Sequence, residues 1–333
     1  MPATEFAEFH DELRSIAGEL LAKEREVGWA ALLEAGWVGL EVPEPLGGAG
    51  ATFGETAVIL EQIGRSAGTN SFLGGAVLSV GLLNTLQRSA ARDRLLADVA
   101  NGDSRLAVVA GDFVIAEGRL SGHAEFVPDA AGADRLLVVA DAGVAVAATA
   151  ELAVVAQPVV DETRRLAVVA AEKVAVDEVL TCDVDPATAL SVLQDRASVA
   201  IACDSLGLAE QMLIATVEYV KVRHQFGRPI GSFQAVKHAC ADMRVSIEVG
   251  RQLVDDAVAL LADGADAGIA AAMAKAHVTS AAVDIVGKAM QLHGGIGYTW
   301  ESGVHTYLKR ALLNRSLFGS PAAQRQRIAR RYL

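Results

Sequence analysis

The sequence is short of what would mark a nucleic-acid binder, a secreted chain or a membrane protein. Against 41 acidic residues it carries only 29 lysines and arginines, a formal charge of −12. That deficit excludes the basic footprint that neutralises phosphate backbones, and with it a polybasic attachment to anionic lipid. Any anionic ligand must therefore be met by individual arginines or by helix N-termini. The three cysteines, Cys182, Cys203 and Cys240, have no metal-ligand spacing and are odd in number. They read as inert thiols of a reducing compartment. The N-terminus, MPATEFAEFHDELRS, is acidic and has no apolar stretch, so no signal peptide is expected. The most apolar region, residues 142–160, is broken by Glu151, Gln157 and Pro158 and cannot span a bilayer as written. There is no internal repeat, and no GxGxxG follows a strand, so a nicotinamide-type Rossmann domain has no support. The expectation is a soluble, cytoplasmic protein with neither nucleic acid nor membrane as partner.

What is present is apolar mass. With 52% apolar and 21% charged residues over 333 positions, the chain can bury a large core in two or three domains. Residues 1–104 show helical periodicity, with Phe6, Leu13, Ile16 and Leu20 at three- and four-residue intervals. A glycine-rich loop, GWVGLEVPEPLGGAG (36–50), breaks it, and a second helix restarts near Phe53. Residues 105–185 change character: short runs such as LLVVA and LAVVA, separated by Gly, Asp and Pro, suit strands joined by turns. From 186 to 333 long helical segments return, with Gly264 and Gly268 punctuating the turn between two of them. Helices, then strands, then helices suggest separately packed α and β layers, an α+β multi-domain fold.

Two segments near the C-terminus carry more information: RHQFGRPIGSFQAVKHACADM (223–243) and QLHGGIGYTWE (291–301). Arg223 offers a planar fork of donors suited to a pyrophosphate. Phe226 and Gly227 are expected to end a helix and let backbone approach a ligand closely. Gln291, Gly294 and Gly295 form a loop without bulky Cβ groups. Taken singly, an Arg before Phe-Gly is a helix-end residue and a Gly-Gly pair is a turn. In this order, both segments resemble signature motifs of the acyl-CoA dehydrogenase family. The stretches 36–50, ILEQIGRS (59–66) and GRLSGHAEFVPDAAGADRLLVVA (118–140) are similar to that family's first helical domain and the entry to its β domain. The resemblance implies an N-terminal helical domain, a middle β-barrel or sandwich domain and a C-terminal four-helix bundle. It also implies FAD as cofactor, an acyl-CoA thioester as substrate and a flavoprotein as electron acceptor. Arg223, Phe226, Gln234, Gln291, Gly294 and Gly295 match positions that hold FAD across a subunit interface.

The reaction implied by the family is α,β-dehydrogenation. A carboxylate removes the α-proton and the β-hydrogen leaves as hydride to the flavin. Ungapped counting places the two family positions for that carboxylate on Phe318 and Ala197, neither of which accepts a proton. Asp195 lies two positions from Ala197, roughly 200° around a helix. Glu301 and Asp284 read as solvated or salt-bridged helix residues. In the middle domain, AVVAGDFVIAEG (107–118) lacks the hydroxyl-bearing turn of the family. Phe126-Val127-Pro128 replaces a Trp-Ile-Thr stretch, and Pro128 has no N–H. Contacts to a neighbour's cofactor are thus kept, while those serving a subunit's own cofactor are lost. The expectation is a subunit of a heterotetramer whose base-bearing partner completes the site. Two alternatives stay open: a self-sufficient homo-oligomer with its base at an unrecognised position such as Glu301 or Asp195, and a non-catalytic scaffold that binds CoA thioesters or a partner. His293 either caps its helix or touches a ligand.

Overall fold

The computed structural model describes residues 9–24 and 26–331, so Phe6 lies outside the described residues. In chain order the elements begin with α1 (His10–Lys23), α2 (Trp29–Glu34), α3 (Phe53–Ser66), α4 (Ser79–Asn84) and α5 (Ala90–Asn101). The strands follow: β1 (Leu106–Ala110), β2 (Asp112–Ala116), β3 (Arg119–Pro128), β4 (Arg135–Ala140), β5 (Gly143–Ala148), β6 (Ala153–Gln157), β7 (Leu166–Ala175) and β8 (Glu178–Leu180). The chain continues through α6 (Pro186–Val222), a two-residue strand pair β9 (His224–Gln225) and β10 (Arg228–Pro229), then α7 (Gln234–Ala262), α8 (Gly268–His293), α9 (Val304–Ser316) and α10 (Pro321–Arg330).

Local chemistry sets many of these boundaries. Thr52 and Glu55 form a capping box at the start of α3: the Thr52 N–H donates to Glu55 Oε2 at 2.9 Å, and Gly54 N–H donates to Thr52 Oγ1 at 3.1 Å. Ser89 caps α5 through the Arg92 N–H, and Gly102, at φ +80°, closes it in the left-handed conformation. Gly264, at φ +66°, lies in the turn between α7 and α8, where the sequence places punctuation.

By packing, the chain forms two compact units. One comprises Glu26–Thr56 and Thr69–Ala197. Its strands make two four-stranded sheets, ordered β1-β4-β5-β8 and β2-β3-β7-β6. The second is antiparallel throughout, whereas β1 and β4 run parallel. A single apolar cluster draws on both sheets, with Val109, Leu136 and Val138 from one and Phe113, Leu120 and Val169 from the other. β4 is buried along nearly its whole length, so LLVVA is a continuous apolar run; β2 alternates and exposes one face.

The other unit contains α1, Ala57–Gly68 and the chain from Ser198 onward. α8 buries a broad face rich in small residues, among them Ala271, Ala272, Ala274, Ala282 and Ala289, as suits a helix with close neighbours. α7 buries only the stripe Met243, Ile247, Gly250, Val254 and Ala257. Two glycines set the crossing of α3 with α6. A Cβ on Gly64 would stand 1.9 Å from the Asp204 carbonyl oxygen, and one on Gly207 1.9 Å from that of Glu61. Beside this crossing the 1% exposed Arg310 donates to both carboxylate oxygens of Asp204 and to the Gly68 carbonyl at 3.0 Å. Asn314 Nδ2 reaches Asp204 Oδ1 at 2.6 Å and Ser205 Oγ at 3.1 Å, so the buried carboxylate has a donor set that offsets its desolvation. α6 and α8 are long and apolar enough to cross a membrane, but 78% and 56% of their apolar windows are buried inside the protein.

Candidate functional site

Arg223 directly follows α6, its N–H donating to the Tyr219 carbonyl at 3.0 Å. The helix ends at Val222, and Phe226–Gly227, at φ +54° and +78°, form the turn of the β9–β10 hairpin. This corrects the expectation that Phe226 and Gly227 end the helix. Two successive left-handed residues are what a two-residue hairpin turn demands. The turn lifts the Phe226 ring into solvent, 88% exposed, with one edge contact to Phe233 at 6.1 Å. The Arg223 guanidinium is exposed and makes no ion pair or hydrogen bond with the described residues. Gln234, also exposed, is the first residue of α7.

The second half of the site lies at the end of α8. Gln291 is exposed and its Oε1 accepts from Lys288 Nζ at 3.1 Å. Gly294 ends the helix at φ +63°, ψ −142°, a conformation open only to glycine. Gly295 follows at negative φ. A Cβ on either would meet nothing within 4 Å. At Gly294 the backbone itself requires glycine; at Gly295 nothing inside the chain does. The two halves are joined by a contact that links residues 74 positions apart. The Tyr219 hydroxyl donates to the His293 carbonyl at 3.2 Å, and the two rings stack at 4.4 Å, 19° from parallel. His293 Nδ1 lies 2.8 Å from the Ala289 carbonyl, so its ring is engaged within the fold. The structure therefore brings the helix end that bears Arg223 beside the loop of Gly294 and Gly295. Tyr219 was not singled out in the sequence; its position four residues before Arg223, on the same helix face, was the available signal.

The turn between α9 and α10 carries Phe318. Phe318 and Gly319 both adopt positive φ, +56° and +97°. Gln324 Nε2 donates to the Phe318 carbonyl at 3.0 Å, and Ser320 Oγ accepts from the Ala323 N–H at 3.3 Å. From below, the fully buried Lys275 donates to the carbonyls of Asn314 at 2.8 Å and Gly319 at 3.1 Å. Burial pushes its ammonium pKa down to about 7. Ala197 is 1% exposed within α6.

Profiles of two families match the chain: the acyl-CoA dehydrogenase N-terminal domain over residues 3–103 and the acyl-CoA dehydrogenase C-terminal domain over residues 191–333. IpdE2, an acyl-CoA dehydrogenase of Mycobacterium tuberculosis, is 33% identical over 296 residues, covering 88% of this chain and 82% of the relative. The chain belongs to the acyl-CoA dehydrogenase family. FadE28 from the same organism, also an acyl-CoA dehydrogenase, is 31% identical over 314 residues, covering 90% of each chain. Among solved structures, the Tcur3481–Tcur3483 steroid acyl-CoA dehydrogenase G363A variant superposes with a TM-score of 0.87 at 27% identity, covering 98% of each chain. The ChsE4–ChsE5 complex of Mycobacterium tuberculosis gives 0.85 at 24% identity, covering 99% of this chain and 96% of that one, a likeness of fold. The N-terminal helices, middle sheets and C-terminal helices are the architecture of the acyl-CoA dehydrogenases.

Within this family fold, the nearby carboxylates have other partners or surroundings. Asp195 is buried, 6% exposed, in the turn of α6 that holds Ala197. Arg196, between them in sequence, donates from Nε to the Val77 carbonyl at 2.7 Å and pairs with Glu41, which also accepts the Thr56 hydroxyl at 2.6 Å. Glu301 is exposed, and hydrogen bonds from its own N–H and from Thr299 hold its carboxyl below the usual range. Asp284 is exposed on the rim of a groove of about 510 Å³ between α7 and α8. In β3, a bulge puts Phe126 at φ +57°, its N–H donates to Gln157 Oε1 at 2.8 Å, and Pro128 offers no N–H.

Proposed function

We propose that this chain is the base-less subunit of a heteromeric, FAD-dependent acyl-CoA dehydrogenase and lends its rim to a cofactor seated mainly on a base-bearing partner. One observation carries the reading. The rim residues Arg223, Gly294 and Gly295 are exposed, free of ion pairs or open on the Cβ side, while the two family positions for the proton acceptor are Phe318 and Ala197. The donor set fits the group: Arg223 suits a pyrophosphate, the Gln234 and Gln291 amides suit polar edges, and Gly294 and Gly295 leave space that a Cβ would fill. Phe226 offers an exposed aromatic face beside them. Bound FAD supplies hydride acceptance for the α,β-dehydrogenation of an acyl-CoA thioester. This chain's part is to bind and orient that cofactor and to exclude water from one side of it, while the partner's carboxylate takes the α-proton.

The assignment divides the chain into a helical domain (1–104), a β domain (105–185) and a helical bundle (186–333). Two solved neighbours, Tcur3481–Tcur3483 and ChsE4–ChsE5, are named as pairs of proteins, which supports a heterotetramer. The first is described as a steroid acyl-CoA dehydrogenase, which supports a bulky steroid-type acyl group. A flavoprotein takes the electrons onward, and the complex works in the cytoplasm.

The test is purification of the full chain alone and co-expressed with a base-bearing member of the family. The lone chain is expected to be colourless and inactive, and the pair to form a stoichiometric yellow complex that bleaches with acyl-CoA. A homo-oligomer of this chain that turns over acyl-CoA unaided would overturn the reading.

A further inference from the structure

We infer that Tyr219 and His293 act as a positioning clamp that sets the rim for the cofactor, an inference that rests on the function proposed above. Each half of the rim follows one member of the pair: Arg223, directly after α6, lies four residues beyond Tyr219, and Gly294 follows His293 at the end of α8. The Tyr219 hydroxyl holds the His293 carbonyl at 3.2 Å and so fixes the plane of the peptide that leads into Gly294. Gly294 then takes φ +63°, ψ −142°, a sparsely populated conformation that persists only where its surroundings over-determine it. No side chain packs within 4 Å of the position of its missing Cβ, so the restraint comes from the peptide itself. The ring stack at 4.4 Å fixes the same carbonyl from a second direction, and the imidazole is anchored in turn by the Ala289 carbonyl at 2.8 Å from Nδ1. His293 is 9% exposed and Tyr219 half-buried, so the imidazole is not a surface contact for the cofactor. The pair acts through Arg223 and the glycine loop.

The experiment compares Tyr219→Leu, Tyr219→Phe and Arg223→Ala in the full-length chain, with FAD as the probe. In the FAD-free chain, Tyr219→Leu is expected to raise amide exchange of residues 294–297 roughly tenfold while the global midpoint moves by no more than about 2 °C. In the co-expressed complex, its FAD dissociation constant rises roughly tenfold, and Arg223→Ala weakens FAD at least as much. Tyr219→Phe, which keeps the stack and is expected to fold as wild type, weakens FAD about threefold through loss of the hydroxyl bond alone. If Arg223→Ala weakens FAD while both Tyr219 variants leave exchange and affinity unchanged, the clamp is refuted and the rim survives. If Arg223→Ala leaves FAD affinity unchanged, the rim reading falls and the clamp falls with it.

Discussion

Gly64 and Gly207 in the helix crossing, and Gly294 and Gly295 on the rim, are the same residue type kept for different reasons. At the crossing a Cβ would strike a carbonyl oxygen at 1.9 Å, so the packing of α3 on α6 dictates glycine. On the rim a Cβ would meet nothing, and Gly295 is not even in a left-handed conformation. The arginines divide in the same way. Arg310 is consumed by Asp204 and the Gly68 carbonyl, while the Arg223 guanidinium faces solvent with no ion pair or hydrogen bond to the described residues. Inside, sequence choices are answered by the chain's own atoms. On the rim, Gly295 and the Arg223 guanidinium have no such answer among the described residues, and the function proposed above assigns them to the cofactor.

The largest effect that bears on this contrast comes from the inner pair. Asp204→Ala strands a buried guanidinium and is expected to cost about 3–5 kcal/mol in chemical denaturation, whereas Arg223→Ala leaves the unfolding curve where it was. An equal loss in both variants would erase the distinction. Next, Gly207→Ala overpacks the crossing against backbone that cannot step aside, with an expected cost of about 1–3 kcal/mol and an unchanged m-value. Lys275 sharpens the comparison for cations. Its pKa of about 7 in the folded chain lies below the ordinary 10.5, so between these pH values the unfolded chain holds one proton more. Stability is then expected to rise with pH across that window, by at most about 1.4 kcal/mol per pH unit, and Lys275→Met should flatten the profile. A wild-type curve that falls from pH 7 to 10 would contradict the desolvated ammonium. Smallest in stability is Gly295→Ala, expected within about 0.5 kcal/mol of wild type. The same variant should nevertheless lose FAD from the co-expressed complex, which flavin absorbance would show.

Much of this layout was legible in the sequence. The strand block, the helix restart at Phe53, the break at Gly264 and the rim residues from Arg223 to Gly295 are local signals of pattern, turn chemistry or motif. The meeting of Tyr219 with His293 was not, because periodicity gives the faces of a helix but not which faces meet. Lys275 hid for a related reason: a lysine in a run of alanines reads as a solvated position until the carbonyls of Asn314, at the end of α9, and Gly319, in the turn after it, are found above it. The Phe226–Gly227 turn was placed one element too early, since Phe-Gly after a long helix serves a helix end and a tight hairpin equally well. Phe318 and Ala197 could be located only by counting from motifs.

The backbone at residue 318 is already left-handed with a non-glycine residue in place, and Gln324, Ser320 and Lys275 hold that bend from three directions. The conformational cost of seating a side chain there, on the order of 1–2 kcal/mol, has therefore already been met by phenylalanine. Under the function proposed above, a carboxylate placed at 318 would therefore meet a backbone already bent to receive a side chain, so base-bearing and base-less subunits would differ there by one side chain on an otherwise finished mount.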